Sequence, residues 1–355
     1  MLKTFDEVFD DYTKYGTKIK TEQYHTIGSN VIIDQGQSDI AGYTDQTDGL
    51  FTDVPVIIFG DHTRIIKYIN RPFFLGADGT KILKSKIPNA NYKYLYYALK
   101  NAKIPNTGYN RHFKWLKQIS ISYPEYQKQS MIVEILDKLE DSIDNYNTIL
   151  GLLDKLVKAR FIEMFGDPKD NQLCWKKYIF KDVCTVRQGL QISISKRLKL
   201  HEDNSYEYIT IQSLHGAKEK EYIKNPSSNV LCTKDDILMT RTGNTGMVIT
   251  DVEGVFHNNF FLIDFDRIKF NKFFLSEYLK LDYIQAEILR RAGTSTIPDL
   301  NHGEFYKIPI YEPPIELQQQ FADFVRHVDK SKLAVQKSLE KTQQLFDSLM
   351  QKYFG

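Results

Sequence analysis

Cysteine, long apolar runs and an excess of one charge are all scarce in this 355-residue chain. Its three cysteines, Cys174, Cys184 and Cys232, form no C-x-x-C pair, which argues against a disulfide framework or a cysteine zinc site and favours a reducing cytoplasm. No run approaches the roughly 20 apolar residues of a membrane span, and the first residues lack the pattern of a secretory signal. Because 47 basic residues nearly cancel 45 acidic ones, composition leaves the partner open.

Motifs of the common nucleic-acid enzymes are also missing. A base-modifying methyltransferase needs an Asn or Asp before Pro-Pro and an aromatic after it, whereas Pro313-Pro314 stands between Glu and Ile. No G-x-x-x-x-G-K-[ST] phosphate loop occurs. Asp299, Glu304 and Lys307 only loosely resemble a nuclease cluster, because their spacing is wrong. We therefore expect no catalytic residue, metal or cofactor in this chain.

An internal repeat is the strongest positive feature. The run W-L-K-Q-I-S-I-S-Y-P-E-Y-Q-K-Q begins at Trp115, and Y-K-I-P-I-Y-E-P-P-I-E-L-Q-Q-Q begins at Tyr306. Matching letters favour an offset of 191 residues, the distance from Glu125 to Glu316, which also pairs Asn110 with Asn301. A duplication of this length predicts two copies of one unit, each a globular body followed by a helix.

Both copies continue into a long helical pattern with apolar residues at alternating steps of three and four, typical of a coiled-coil seam. Lys332 and Thr342 interrupt the second seam. We expect the helices to pack on each other seam to seam; the alternative is that each packs on its own body. The seams comprise Ile132, Leu136, Leu139, Ile143, Tyr146, Leu150, Leu153 and Val157, and then Phe321, Val325, Val328, Lys332, Val335, Leu339, Thr342, Phe346, Leu349 and Tyr353.

The predicted fold class is α+β. Residues 1–123 and 169–312 form two similar, strand-rich domains, and residues 124–168 and 313–355 form the two helices of an antiparallel coiled coil. Buried strands are expected at V-P-V-I-I-F and D-D-I-L-M-T, each followed by a polar loop and then by an apolar run, F-F-L-G and N-F-F-L-I-D. Helices are expected at 91–99 and 271–279. Loops that differ on a common scaffold are typical of domains that bind different targets.

The chain resembles the specificity subunits of type I restriction-modification systems. The residues that carry the resemblance are Q-G-Q-S-D-I-A-G-Y at 35–43, F-G-D-H-T-R at 59–64, P-x-x-E-x-Q from Pro313 to Gln318, and Phe165-Gly166-Asp167-Pro168. The resemblance covers essentially the whole chain. Each motif is weak alone, and their order and repetition make them specific.

The resemblance implies a non-catalytic subunit in a prokaryotic cytoplasm. Each target-recognition domain would read one half of a split target in double-stranded DNA, and the paired helices would set the half-site spacing. Two modification subunits, which use S-adenosylmethionine, would dock on the helices. Restriction subunits, which use ATP and Mg, would complete the complex.

The candidate DNA-binding residues are basic, amide and hydroxyl side chains in the loops, because these groups bind phosphates and base edges. For the second copy, Asn301 and His302 are expected where Asn110 and Arg111 stand in the first. The candidates are His62, Thr63, Arg64, Lys67, Asn110, Arg111, His112, Lys114, Arg187, Gln191, Arg197, Arg241, Thr242, Asn244, Arg290, Arg291, Thr294, Asn301 and His302.

Two other functions remain possible at this level. A coiled-coil scaffold with two adaptor domains would have no reason to keep Arg, Asn and Thr in corresponding loops of both copies. A self-contained restriction enzyme would need the cofactor and metal motifs that the sequence lacks, and would transfer methyl groups without a partner.

Overall fold

A computed structural model describes residues 1–76, 78–214, 219–293 and 298–355. The chain divides into two compact units, Met1–Asn147 with Gln336–Gly355, and Thr148–Val335. These are unit 1 and unit 2, respectively. Each unit contains a strand-rich body and part of two long helices.

The body of unit 1 combines short strands with short helices. Its helices are α1 (Phe5–Val8), α2 (Tyr92–Lys100) and α3 (Phe113–Leu116), and the long helix α4 (Tyr126–Phe165) follows. Its strands are β1 (Leu2–Thr4), β2 (Phe9–Asp11), β3 (Asn30–Ile33), β4 (Gly42–Thr44), β5 (Val56–Gly60), β6 (Ile66–Ile69), β7 (Phe73–Leu75), β8 (Thr80–Ser85) and β9 (Ser120–Ser122).

The body of unit 2 is built from the same kinds of elements. Its helices are α5 (Ile211–Leu214), α6 (Lys272–Lys280), α7 (Asp282–Ala292) and α8 (His302–Phe305), and the long helix α9 (Ile315–Phe354) follows. Its strands are β10 (Lys176–Ile179), β11 (Cys184–Gln188), β12 (Ser205–Ile209), β13 (Tyr222–Lys224), β14 (Leu231–Cys232), β15 (Ile237–Thr240), β16 (Val248–Ile249), β17 (Gly254–Phe256), β18 (Phe260–Phe265) and β19 (Pro309–Glu312).

The two bodies share one sheet topology. The orders β2-β8-β5-β6 and β4-β3-β7 in unit 1 correspond to β11-β18-β15-β16 and β13-β12-β17-β14 in unit 2. Parallel pairs occupy the same place in both, β3 with β7 and β12 with β17. An antiparallel pair closes each body, β1 with β9 and β10 with β19. This topology confirms the predicted α+β class and extends the repeat to strand order.

Strand pairing corrects one detail of the predicted repeat. The apolar runs F-F-L-G and N-F-F-L-I-D are not equivalent, because the first contains β7, whose counterpart is β17, while the second contains β18, whose counterpart is β8. The predicted helices at 91–99 and 271–279 are present as α2 and α6. Each begins after an asparagine whose side chain accepts a backbone N–H, Asn91 from Tyr94 and Asn271 from Phe273.

The long helices pack on each other and on the bodies. In unit 1, Leu136 of α4 and Phe346 and Met350 of α9 share a buried core with Tyr97 of α2. Every position of the two predicted seams is buried or half-buried. Seam residues of both helices share one buried cluster in each unit, Leu136 with Phe346 in unit 1 and Val157 with Phe321 in unit 2, which confirms the predicted seam-to-seam packing there. Packing on the bodies accompanies it, because the same clusters include residues of the body helices. None of the helices that the structure describes combines the length and apolarity needed to cross a bilayer.

Contacts within unit 2 show that the helices run antiparallel. The rings of Phe165 and Phe321 lie 5.4 Å apart, and the Arg160 guanidinium lies 5.9 Å from the ring of Phe324. Further along, Lys332 Nζ lies 2.6 Å from an Asp154 carboxylate oxygen. The lysine that interrupts the second seam is thus paired with a carboxylate of the opposite helix.

The two helices also correct the register of the repeat. Each is 40 residues long, and Tyr126 corresponds to Ile315, which makes the offset 189 residues. At that offset Gln129 matches Gln318, and each donates from Nε2 to the carbonyl of the proline five residues earlier, at 2.8 Å. The offset of 191 was wrong because glutamines recur at every second position in Q-K-Q and Q-Q-Q, so a slip of two residues still matches identical letters.

Candidate nucleic-acid interface

Two loop segments of unit 1 meet at one end of its central sheet. The first follows β5 (residues 60–64), and the second precedes α3 (residues 104–112). The backbone N–H of His112 donates to the carbonyl of Asp61 at 2.8 Å, and the backbone N–H of Phe113 donates to the Asp61 carboxylate at 2.7 Å. The structure therefore brings together the two segments that the sequence singled out in the first copy.

Gln35 fixes the loop after β5, and it is not among the DNA-binding candidates predicted from the sequence. Its side-chain oxygen accepts the backbone N–H of His62 at 3.1 Å, and its backbone carbonyl accepts the hydroxyl of Thr63 at 2.7 Å. Its side-chain nitrogen donates to the carbonyl of Asp78 at 2.7 Å. A signal for it is present in the sequence, because Gln35 opens the Q-G-Q-S-D-I-A-G-Y run.

Arg64 closes this loop in an unusual backbone conformation. Its φ of 64° lies in the left-handed region, which residues other than glycine seldom adopt. Its guanidinium donates to the carbonyl of Ile104 at 3.2 Å, so it also ties together the two loop segments. Backbone strain of this kind is often found at functional sites.

The candidates in unit 1 divide by exposure. Thr63, Asn110, Arg111 and Lys114 are exposed, and His62 and Arg64 are half-buried. Two candidates are corrected, because their side chains are buried and cannot contact DNA from where they lie. Lys67 is 5% exposed and His112 is 0% exposed.

Both buried candidates have structural partners. Lys67 Nζ donates to the carbonyl of Ser38 at 2.6 Å, and burial lowers the pKa of this lysine although Asp34 lies nearby. The ring of His112 contacts the carbonyl of Asp61 at 3.0 Å. These residues hold the loops in place from behind the exposed surface.

The loop after β15 in unit 2 occupies the place of the loop after β5. Arg241 makes a two-pronged ion pair with Asp299, with distances of 3.0 and 2.9 Å. The backbone N–H of Leu300 donates to the carbonyl of Arg241 at 2.9 Å, a bond similar to the one from His112 to Asp61 in unit 1, although Leu300 lies two residues before α8 and His112 lies one residue before α3. Thr242 is half-buried and Asn244 is exposed. The same two segments therefore meet in both units, although the side chains that join them differ.

Three further candidates lie at the start of the body of unit 2. Arg197 pairs with Glu221 at 2.7 Å and lies beside a cavity of about 490 Å³. Arg187 donates to the carbonyl of Asn229 at 3.1 Å. The exposed side chain of Gln191 accepts a hydrogen bond from Asn258 at 2.9 Å.

The arginines at the end of α7 are held by one carboxylate. Glu287 accepts hydrogen bonds from Arg290 at 2.8 Å and from Arg291 at 2.7 Å. These bonds lower the pKa of Glu287 to about 2. The next candidate, Thr294, lies outside the described residues. In unit 1, residues 101–112, all of which the structure describes, contain no helix corresponding to α7.

The predicted equivalence of Asn301 with Asn110, and of His302 with Arg111, was wrong by two residues. At the true offset Asn301 corresponds to His112, not to Asn110, and each stands immediately before a short helix. The Asn301 side chain accepts the backbone N–H of Glu304 at 3.0 Å, so it caps α8. His302 is half-buried, and burial together with the nearby Arg241 charge lowers its pKa.

Two carboxylates near this surface in unit 2 are paired with cations. Asp299 is held by Arg241, and Glu304 lies 2.6 Å from Lys307 Nζ. Among the described residues, no group of three or more His, Cys, Asp or Glu side chains is arranged to hold a metal ion. The arrangement offers amides, hydroxyls and guanidinium groups on loops, which suits recognition by hydrogen bonding.

Known proteins with the same architecture identify the family. The family model described as the type I restriction modification DNA specificity domain, Methylase_S, matches residues 3–154 and 173–345. The specificity subunit of the type I restriction enzyme EcoR124I/EcoR124II from Escherichia coli is 32% identical over 94 residues, which are 26% of this chain and 23% of that protein. The chain therefore aligns with about a quarter of the length of that relative.

Solved structures also match over the whole length of the chain. The S subunit of a type I restriction-modification system from M. genitalium aligns over 100% of this chain and 96% of that one, with a TM-score of 0.62 and 18% identity. A structure described as the basis of complex assembly and conformational transition of the type I R-M system covers 100% and 97%, with a TM-score of 0.55 and 15% identity. At these identities the structures support the fold. Since the family model matches both bodies and parts of both long helices, this chain belongs to the type I restriction modification DNA specificity domain family.

Proposed function

We propose that this chain gives a type I restriction-modification complex its DNA sequence specificity, with each body reading one half of a bipartite target. One observation carries the proposal. The loop after the central strand meets the segment before the short helix in both bodies, but with different side chains. A constant scaffold with variable loops suits two readers of different sequences.

The exposed loop side chains have the chemistry that this role requires. Asn and Gln match the edge of adenine, Arg matches guanine, and hydroxyls suit either. Asn110 and Arg111 of unit 1, and Gln191 and Asn244 of unit 2, are exposed on such loops. The arginines that are paired with carboxylates would have to exchange those partners for DNA, so they contribute less than free ones.

In this proposal α4 and α9 set the spacing between the half-sites and dock two modification subunits. A 40-residue helix is about 60 Å long at 1.5 Å per residue. In unit 2 a second apolar stripe follows α4 on its exposed side, with Ile149 40%, Leu152 56% and Leu156 47% exposed. Their spacing of three and four residues suits contact with another helix.

The chain itself would catalyse nothing. We propose that S-adenosylmethionine is used by the modification subunits, and that ATP and Mg are used by the restriction subunits. In this chain Asp299 and Glu304, which only loosely resemble a nuclease cluster, are engaged with Arg241 and Lys307. The complex would act in the prokaryotic cytoplasm.

Sequencing of adenine methylation tests the proposal. DNA would come from cells that express this chain with the modification subunit encoded beside it. We expect a split motif that disappears when this chain is deleted, and replacement of residues 1–123 should change only one half. An active modification subunit whose methylation ignores this chain would refute the proposal and favour a scaffold.

A salt titration provides a second test. Each lost phosphate contact reduces the salt dependence of DNA affinity by about one unit in the log–log slope. If Arg111 contacts phosphate, Arg111→Ala should lower the slope, whereas the control Lys128→Ala, at an exposed position of α4, should leave it unchanged. An unchanged slope together with an unchanged sequence preference would exclude Arg111 from the interface.

A further inference from the structure

Among the described aromatic residues of unit 1, Tyr109 is the most exposed, and it lies in the loop segment before α3. Its side chain is 87% exposed. One face of the ring is stacked on His62, with ring centres 4.7 Å apart and planes inclined by 9°. Stacking against His62 fixes the ring's orientation while leaving its other face open. Tyrosine is enriched at binding interfaces, because its ring packs on a partner while its hydroxyl stays in contact with water.

The segment that carries Tyr109 is braced on both sides. The backbone N–H of Gly108 donates to the Asn106 side chain at 3.2 Å, and the Thr107 hydroxyl lies 3.3 Å from a ring nitrogen of the buried His112. His62 is itself positioned by Gln35 through its backbone N–H. The ring is therefore positioned before any ligand arrives, which reduces the entropy lost on binding.

We propose that Tyr109 is a specificity-determining residue of the first recognition domain, and that its free ring face packs against the 5-methyl group of a thymine in the major groove. Apolar side chains read thymine in this way, because no other DNA base carries that methyl group. Asn110 and Arg111 beside it would supply polar contacts. The inference rests on the proposed function.

The second body offers a contrast within the same chain. The segment before α8, residues 293–301, contains no aromatic residue. We therefore expect the apolar contact in the first half-site alone. This asymmetry gives the proposal an internal control, because loss of the ring should leave recognition of the second half-site unchanged.

The experiment uses the full chain in complex with its modification subunit. Wild type, Tyr109→Phe, Tyr109→Ala and the control Tyr206→Ala, at a 41% exposed tyrosine in the second body, would each select from randomised duplex DNA, and the bound DNA would be sequenced. We expect Tyr109→Ala to lose on the order of tenfold preference at one thymine-containing position of the first half-site. Tyr109→Phe and Tyr206→Ala should keep that preference.

Uracil in place of that thymine provides the second readout, since it removes only the methyl group. It should weaken wild-type binding on the same order and leave Tyr109→Ala unaffected. Full preference in Tyr109→Ala, equal loss in both half-sites, or relaxation at a position without thymine would overturn the inference while the wild type still reads a split target. If the wild type selects no split target, the proposed function fails, and this inference fails with it.

Discussion

Replacement of Phe161 by alanine should weaken unit 2 severely. Phe161 is 1% exposed and lies on α4, four residues after Val157, the last residue of the predicted seam. Its ring is 4.8 Å from Phe165 and 5.4 Å from Phe321 of α9, and it stacks on Phe274 of α6 at 5.3 Å. One side chain thus joins both long helices to the body.

The magnitude follows from what the ring contacts. Truncation of a buried phenylalanine to alanine lowers the free energy of unfolding by about 3–5 kcal/mol. Each favourable aromatic pair contributes about 0.5–1.5 kcal/mol beyond the burial of apolar area. We therefore expect Phe161→Ala to lower the free energy of unfolding of unit 2 by about 4 kcal/mol. With a urea dependence of about 2 kcal/mol per molar, the midpoint should fall by about 2 M.

Tryptophan fluorescence can report on this unit alone. The chain has two tryptophans, and Trp175 donates from its indole nitrogen to the carbonyl of Phe165 at 2.9 Å, close to the mutated site. A Trp115→Phe background removes the other probe. Ile162→Ala, at the neighbouring position that is 36% exposed, is the matched control and should shift the midpoint by less than about 0.5 M. Equal shifts for Phe161→Ala and the control would refute the packing that we describe.

Three other predictions concern hydrogen bonding, protonation and thiol reactivity. Gln318→Ala should destabilise unit 2 by about 3 kcal/mol in urea titrations, because it leaves the backbone N–H of Asn271 unpaired. The control Gln320→Ala, at an exposed position, should change the stability little, and equal effects of the two variants would contradict the role of the Gln318–Asn271 hydrogen bond. Because burial lowers the pKa of His302 in the folded state, unit 2 should lose stability as pH falls below the ordinary value of 6.5. A His302→Gln variant should flatten that dependence between about pH 7 and 5 in thermal melts, and an unchanged slope would contradict it. Exposed Cys174 should react with a maleimide first, whereas Cys232, buried and with its pKa raised to about 11, should react only on unfolding; equal rates would refute this order.

The sequence predicted the scaffold well because the scaffold depends on periodic patterns. Alternating steps of three and four marked both long helices, and asparagine caps stood before α2 and α6. Short apolar runs located β5 and β15. The sheet order was beyond prediction, because strand pairing joins residues far apart in the chain, such as Phe59 with Lys81.

The register of the repeat failed for a different reason. Sequence identity alone favours the wrong register, because the physical equivalence lies in a contact, the hydrogen bond from Gln129 or Gln318 to the carbonyl of a proline five residues earlier. Glutamines that repeat at two-residue spacing make letter matching ambiguous. The rule that both glutamines must be buried and bonded resolves it, with exposures of 1% and 0%.

The candidate site was predicted at the level of segments and less well at the level of side chains. Sequence identifies which loops are polar, but ion pairing and burial decide which polar groups remain available. Lys67 and Arg111 are both basic candidates, yet Lys67 lies in β6 and is buried against the carbonyl of Ser38, whereas Arg111 is exposed. The same distinction gives the two bodies their separate chemistry. Unit 1 presents a stacked tyrosine where unit 2 joins the same segments through the Arg241–Asp299 ion pair. A chain that duplicates its sheets and its helix caps, and yet builds the junction of these two loops from different side chains, has the constant scaffold and the two different surfaces that the proposed function requires.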